Sequence, residues 1–403
     1  MSTAEQILKL AYDGSVKRVW QCPWDDETLL FEFSDDYSVF DWGKMPDTIK
    51  NKGRALAIFG AYFFEKLRNK EFWQGLLDRP ELGVFDENFL NKFSSGKAIM
   101  DMQKHGLQSH YRRLVRKNGE SIDLATAASI HEPIYMEVMK AEVLRPQASV
   151  VLNQNVFSYP AADLQQTRLI PLEVVFRFGM PEGSSLKSRL QKDPDYAFTL
   201  GLESIPQPGK WFSRPVLEFY TKLEPKDRLL SIQEALLISG LSSYQMQELC
   251  DRAFLISLAL YAIFSEQGVE LWDGKFEFIL SDGQIMLADS IGPDELRLLY
   301  KETHLSKEMI RQVYRGSAWE TALKSAQKLA RERASLEWKE ICKNELKSEP
   351  EKFSADVKYV IDKLYPVLVN KLSGEELFEA HPDLSEFVKL AHKTGLAGGS
   401  NAS

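Results

Sequence analysis

The sequence predicts an α+β protein of antiparallel sheets with flanking helices, extended at its C-terminus by further helices. Three observations carry this. Residues 15–21 and 28–33 are β-rich runs on either side of Cys22-Pro23-Trp24-Asp25-Asp26, the pattern of a hairpin, and residues 269–289 form a second hairpin. Residues 306–393 are helical in pattern throughout. With 403 residues, 44% of them hydrophobic, the chain has the length of two or three domains, each with its own core.

In chain order, residues 3–11 read as a short amphipathic helix, followed by a turn at Asp13-Gly14 and the first hairpin. A helix is predicted over 52–68, with Leu56, Phe59, Phe63 and Leu67 on one face. Residues 70–130 mix helical and loop signals without a motif. Strands are predicted at 134–144 and 170–177. Between them 146–167, with Pro146, Asn153, Asn155 and Pro160, reads as a loop or inserted excursion. A short helix is expected at 185–191, irregular chain at 192–230, and helices at 231–239 and 243–267. The most apolar run, Ala253 to Phe264, is too short for a bilayer, which needs about 20 residues, and reads as a buried helix. The small, polar tail 395–403 is expected to be disordered.

Composition removes several function classes. With 58 acidic and 50 basic residues, a net charge of -8 and no long basic run, the chain lacks the concentrated positive surface a nucleic acid requires. Cys22, Cys250 and Cys342 are far apart and form no CxxC pair; they read as small buried hydrophobes in a reducing compartment. The N-terminus has no basic region followed by an apolar run, so a cytoplasmic protein is expected. No GxxxxGK[ST], GxGxxG, HExxH or EF-hand pattern is present. The six histidines show no metal-ligand spacing and read as surface or internally satisfied side chains.

The richest segment is Leu271 to Asp289. Alternation puts Asp273, Lys275 and Glu277 on one face of a strand and Trp272, Phe276 and Phe278 on the other. A two-residue loop at Asp282-Gly283 would send Glu277 and Asp289 to opposite faces. A three-residue loop, Ser281-Asp282-Gly283, pairs Leu280 with Gln284 and makes Glu277 and Asp289 diagonal neighbours, roughly 7–8 Å apart at Cα. The three-residue loop is the expectation here. Two such carboxylates suit Mg²⁺, which takes few protein oxygens and leaves positions for water and phosphates. The same pattern also fits a solvated face with cross-strand ion pairs. Beyond it, Ile291-Gly-Pro-Asp294-Glu-Leu-Arg297 presents an acid and an arginine at a strand end.

Near the N-terminus, Gly14 and Lys17 form a glycine turn with a following lysine, a weak phosphate-loop signal. Asp35 to Asp41 reads as a substrate loop or a plain turn at a strand end. Glu173 and Arg177 share one face of a half-buried strand, and Arg177 beside Gly183-Ser184-Ser185 would make an anion clamp.

Taken together these segments resemble the phosphoribosylaminoimidazole-succinocarboxamide synthase (SAICAR synthetase) family. Tyr12-Asp-Gly-Ser-Val-Lys-Arg-Val resembles its YxGKAKxV loop, Asp35-Asp-Tyr-Ser-Val-Phe-Asp41 its DxxSAFD, and Asn51-Lys52-Gly53 its NKG helix start. Ile170 to Arg177 resembles (I/V)PxExVVR, and Ser185-Leu-Lys-Ser-Arg-Leu190 the helix after it. Thr221-Lys222 resembles TK, Asp273-Gly-Lys-Phe-Glu-Phe resembles DFKLEFG, and Asp289-Ser-Ile-Gly-Pro-Asp-Glu-Leu-Arg297 resembles DExSPDxxR. The matches cover about 1–70 and 168–315 and keep the family's order.

The resemblance implies a two-lobed ATP-binding fold and an ATP-dependent carbon–nitrogen ligase of purine biosynthesis. Such enzymes phosphorylate the carboxylate of an aminoimidazole ribonucleotide, and the amine of aspartate then displaces phosphate. By this resemblance Gly14, Ser15, Lys17, Lys140, Lys275 and Glu277 would contact ATP, and Glu277 and Asp289 would hold Mg²⁺. Ser38, Arg177, Ser184, Ser185, Lys222, Asp294 and Arg297 would hold the ribonucleotide, and Lys17, Asp41 and Lys275 would serve the chemistry. The implied division is a β-rich lobe with the phosphate loop and an inserted helical segment over 1–145, an ATP, Mg²⁺ and substrate lobe over 146–305, a helical region over 306–394 and the tail 395–403. The expected partners are small molecules, with no nucleic acid or membrane and a homo-oligomer left open. Ser15 stands where the family has lysine, Ser290 where it has a second acid, and Lys226-Asp227 where it has HD. These departures leave open a paralogue acting on a different carboxylate or amine.

Overall fold

The structure is a computed structural model and describes residues 8–152, 154–160, 166–333, 335 and 337–396. Its contacts gather the chain into two units of non-contiguous segments. One holds residues 1–59, 113–137 and 299–403, and the other 60–112 and 138–298.

The first unit carries an antiparallel sheet of β1 (Leu10–Asp13), β2 (Lys17–Gln21), β3 (Thr28–Phe33), β4 (Tyr111–Val115), β5 (Ser121–Ile122) and β6 (Tyr135–Met139), in the order β1-β2-β3-β6-β4-β5. The predicted hairpin is β2–β3, with Lys17 opposite Phe33 and Gln21 opposite Leu29. The helix expected at 3–11 is corrected at its C-terminal end only. Residues 1–7 lie outside the described residues, and Leu10–Asp13 pairs with β2, Leu10 opposite Trp20 and Asp13 opposite Arg18. Ladder hydrogen bonds to a neighbouring strand outweigh the weak local preference for helix. The helical C-terminal region is observed as Lys307–Tyr314, Ala318–Glu332, Trp338–Glu340, a π-turn at Ile341–Glu345, Ala355–Ser373 and Leu384–Lys393. Of the expected tail, 397–403 lie outside the described residues.

The second unit is organised around a sheet face. Its strands are β7 (Gln147–Val151), β8 (Gln154–Ser158), β9 (Arg168–Leu169), β10 (Leu172–Met180), β11 (Lys210–Thr221), β12 (Leu229–Leu230), β13 (Glu270–Ser281) and β14 (Gln284–Ala288). The core order is β12-β11-β10-β13, with β14 and β9 both paired to β13. Two expectations change here. The excursion 146–167 contains the two-stranded β7–β8 hairpin, although 153 and 161–165 lie outside the described residues. The region read as irregular contains β11, a twelve-residue strand. Pro215 breaks its strand signature, and the register shift between Arg177 and Gly179 on β10 accommodates the irregular stretch between Trp211 and Val216.

Helix Ser243–Glu266 covers the apolar side of this unit and contains the predicted buried run Ala253 to Phe264. Ser242 opens it with a capping box to Gln245, which satisfies two of the helix's otherwise unpaired donors. Phe176 stacks on Phe276 at 4.7 Å between ring centroids, so the even-numbered residues of β10 and β13 face the core. Among the described residues no helix is long and apolar enough to cross a membrane.

Candidate active site

The register of the sheet puts charge on its other face. Arg177 lies opposite Asp273 and Val175 opposite Lys275, while Val175 also faces Glu218 and Glu173 faces Tyr220 across β11. Two side chains directly opposite in an antiparallel ladder point the same way, so one side of three strands gathers Glu173, Arg177, Glu218, Tyr220, Asp273, Lys275 and Glu277.

At one end sits an ammonium–carboxylate cluster. Lys222 leaves β11 with its N–H bonded to the carbonyl of Pro171 at 3.3 Å, which brings it to the Glu173 end of β10. Its Nζ donates to Glu277 Oε1 at 2.6 Å and to Glu173 Oε1 at 3.0 Å. Lys275 Nζ donates to Glu173 Oε1 at 2.7 Å and to Glu277 Oε1 at 3.3 Å. Burial alone would raise the Glu173 pKa, yet Lys275 and Lys222 hold it below the ordinary carboxylate range. Burial would lower both lysines, but Glu277, Glu173 and Asp289 keep them above the usual range.

The hairpin loop differs from expectation, and the difference bears on Asp289. Ser281 pairs with Gln284 and Leu280 with Ile285, so the turn is the two-residue Asp282-Gly283. Both residues have positive φ, 49° and 75°, the combination whose twist matches paired strands. Glu277 is opposite Ala288, and continued alternation would turn Asp289 to the core face. The strand ends at Ala288, however, and Asp289 adopts φ 62°. This left-handed residue breaks the pleat, and the Asp289 charge acts on both Lys222 and Lys275. Three carboxylates against two ammonium groups leave one net negative charge.

Two residues along β13, roughly 7 Å away by strand rise, lies a second cluster of opposite balance. Arg177 Nε donates to Glu218 Oε2 at 2.6 Å and Arg177 Nη1 to Asp273 Oδ2 at 3.2 Å. Glu218 also accepts from Arg189 at 2.7 Å and from the Tyr196 hydroxyl at 2.8 Å. Burial would raise the Glu218 carboxyl, but Arg177 and Arg189 hold it below the usual range. Arg297 Nε lies 3.4 Å from Asp273 Oδ1. Three guanidinium groups against two carboxylates leave one positive charge. Asp294 lies in the turn before strand Leu296–Tyr300, which carries Arg297, and that turn is fixed to β13 by Lys275 N–H donating to the Glu295 carbonyl at 3.1 Å.

Of the other residues singled out by sequence, Ser184 is buried and caps helix Ser185–Lys192, accepting from the Leu186 N–H at 3.3 Å. Ser185 is exposed and accepts from Arg189 at 3.2 Å. Asp294 is half-buried, and Lys140 is exposed just after β6. Gly14, Ser15, Lys17, Ser38 and Asp41 belong to the first unit. There Gly14 N–H donates to the Lys17 carbonyl at 2.9 Å, and an added Cβ on Gly14 would lie 2.8 Å from that oxygen. Lys17 Nζ lies 4.2 Å from the Phe31 ring centroid. Ser38 Oγ accepts from Gly43 N–H at 3.3 Å, and Phe40 and Asp41 are both left-handed. Sequence reasoning missed Arg189, Tyr196, Glu218 and His110. Arg189 lies in a helix quoted for the family, while Tyr196 and Glu218 lie in the stretch read as irregular, where no periodicity singled them out.

Comparison with known proteins places this architecture. A solved SAICAR synthase has the same fold, with a TM-score of 0.51 and 18% identity over 93% of this chain and 98% of that one. The family model for SAICAR synthetase matches residues 10–328. A provisionally named phosphoribosylaminoimidazole-succinocarboxamide synthase of Archaeoglobus fulgidus is 31% identical over 360 residues, 89% of this chain and 91% of the relative. The synthase of that name from Thermoplasma volcanium is 27% identical over 325 residues, 78% of this chain and 86% of its own. The fold and the site together define an α+β carbon–nitrogen ligase of the kind that acts through ATP. The chain belongs to the SAICAR synthetase family.

Proposed function

We propose that this protein joins the carboxylate of the carboxyaminoimidazole ribonucleotide to the amine of aspartate, converting ATP to ADP and phosphate in purine biosynthesis. The observation that carries the reading is the pairing, on one sheet face, of a net-negative carboxylate–lysine cluster with a net-positive arginine cluster about two residues away. The first suits a metal-bound polyphosphate and the second the ribonucleotide's phosphate and carboxylate. The γ-phosphoryl group passes to the substrate carboxylate, and the aspartate amine then attacks the acyl carbon and expels phosphate.

Phosphoryl transfer of this kind depends on positioning and charge neutralisation. Lys275 and Lys140 neutralise ATP oxygens, while the ATP contacts of Gly14, Ser15 and Lys17 rest on the family resemblance alone. Lys222, Arg177, Arg297, Asp294, Ser184 and Ser185 orient the ribonucleotide, while the roles of Ser38 in holding it and of Asp41 in accepting the amine's proton rest on the family resemblance alone. The donor set fits Mg²⁺: Lys222 Nζ already occupies a cation's place between Glu173 and Glu277. Among the described residues no group of three or more His, Cys, Asp or Glu is arranged to hold a metal alone, as suits an ion that arrives with nucleotide phosphates. Glu277 and Asp289 would be its protein ligands, and the ion would offset charge on the transferring phosphoryl group.

Purified protein incubated with ATP, Mg²⁺, the carboxyaminoimidazole ribonucleotide and aspartate should yield the succinocarboxamide and ADP in equal amounts by mass spectrometry. ADP formation with other carboxylates or amines, and none with this pair, would overturn the substrate assignment in favour of a paralogous ligase.

A further inference from the structure

We propose that His110 is the positioning residue for the metal-binding carboxylate Asp289. This inference rests on the proposed role of Asp289 and adds the device that aims it. His110 lies in the stretch where the sequence shows no motif, 179 positions from Asp289. It is 3% exposed, and its ring packs against Phe64 at 5.8 Å between centroids.

The His110 ring bonds the backbone of Asp289, with Nε2 lying 2.9 Å from the Asp289 carbonyl oxygen. A carbonyl only accepts, so Nε2 carries the proton, and the tautomer follows from the contact. The same segment is laced to β14 on both sides. The His110 N–H donates to the Leu287 carbonyl at 2.9 Å, the Leu287 N–H donates to the Gln108 carbonyl at 3.1 Å, and Ser109 bridges Leu287 in parallel register. The backbone of 108–110 thus fixes β14 up to Leu287, and the imidazole reaches two residues further to hold the peptide that leaves Asp289.

That peptide is where the chain departs from the pleat. Asp289 has φ 62°, a conformation that non-glycine residues adopt sparingly and that persists where surroundings hold it. With Asp289 extended, alternation would carry its carboxylate to the core face, away from Lys222, Lys275 and Glu277. Holding the carbonyl in the observed orientation keeps the chain in the conformation in which the Asp289 charge acts on the lysines. Partners that orient a metal's ligands typically change metal affinity by about 10–100-fold when removed.

The test is Mn²⁺ binding in the presence of ADP, read as free Mn²⁺ by electron paramagnetic resonance, alongside Mg²⁺ activation of the full-length enzyme. His110→Phe removes the donor and should weaken Mn²⁺ binding about tenfold or more. The Mg²⁺ concentration for half-activation should rise in proportion, with kcat at saturating Mg²⁺ within about threefold of wild type. His110→Gln, whose amide can donate to the same carbonyl, should restore most of the affinity. Should His110→Phe fail to fold, His110→Met, also without a donor, carries the same expectation. Folded donor-free variants with wild-type Mn²⁺ affinity would overturn the inference. Asp289→Asn separates the two levels. Weakened Mn²⁺ binding there, with none in the His110 variants, sinks only the positioning role, whereas unchanged binding in Asp289→Asn sinks the ligand assignment and this inference with it.

Discussion

Lys222 Nζ and Glu277 Oε1 lie 2.6 Å apart, although one residue sits just past the end of a strand and the other in the middle of a different one. Lys275 approaches the same oxygen at 3.3 Å. One carboxylate oxygen therefore faces two ammonium groups.

Glu277→Gln keeps the shape and removes the charge. The expected outcome is a fall in succinocarboxamide formation on the order of 100-fold or more, the scale seen when one charge-stabilising group is taken from a polar transition state. Thermal stabilisation by ADP with Mg²⁺ should shrink, while stabilisation by ADP in EDTA stays as in wild type. Full stabilisation by Mg²⁺ and ADP in this variant would place the metal elsewhere.

The cluster also sets a pH dependence of stability. Glu173 is held below its ordinary range, so its contribution is fully present above the unfolded carboxylate value, about 4.3, and is lost as pH falls through the lower folded value. Lys222 and Lys275 are raised, so theirs is fully present below about 10.4 and lost as pH rises through their higher folded values. Urea unfolding should therefore show wild type more stable than Glu173→Gln by about 1–3 kcal/mol, constant from pH 5 to about 10. The gap should narrow below about pH 4. A gap unchanged at pH 3 would show that Glu173 does not carry the linkage.

The sequence legibly announced this face in part, and the limits are physical. Alternation alone placed Asp273, Lys275 and Glu277 together, because the period of a strand is fixed by the backbone. It could not place Asp289. The Asp-Gly pair marks a turn, but whether Ser281 belongs to the turn or to the ladder shifts the register, and a shift of one residue reverses the face. The three-residue loop expected from sequence is not formed. Asp289 is left-handed where the strand ends, and its carbonyl meets the His110 ring, a contact between residues 179 positions apart that no local pattern encodes. Strand Lys210–Thr221 was hidden for a related reason: Pro215 contradicts a central strand locally, and only pairing with its neighbours on either side overrides it.

Glu218 anchors the arginine cluster from below, with Arg177, Arg189 and Tyr196 all donating to it and no side-chain exposure. Glu218→Gln replaces a buried anion with a neutral amide, leaving Arg177 to Asp273 and Arg189 without its carboxylate. Breaking a buried pair on one side costs about 3–5 kcal/mol, so chemical denaturation should show a loss of that size. Arg177→Met alone should lose a similar amount, and the double variant less than the sum of the two. Strict additivity would mean the two side chains are not energetically coupled.

Gly53 stands in the first turn of helix Lys52–Arg68, and its N–H donates to Asp35 Oδ1 at 2.9 Å. An added Cβ would lie 2.2 Å from the Phe33 carbonyl oxygen and 2.9 Å from the carbonyl carbon of Ser34, both backbone atoms at the end of β3. Alanine is favoured over glycine inside a helix by about 1 kcal/mol, but neither contact can be relieved by a side-chain rotation. The helix must move away from β3, which strains the Asp35 bond and the loop that carries Ser38 and Asp41. Gly53→Ala is therefore expected to destabilise by about 1–3 kcal/mol net, measured by urea denaturation, and to raise KM for the ribonucleotide or aspartate more than it lowers kcat. Gly83→Ala serves as the control, since nothing lies within 4 Å of its added Cβ, and it should be neutral to within about 0.5 kcal/mol. If Gly53→Ala proves as stable as that control, the close approach of the helix start to β3 does not hold this loop.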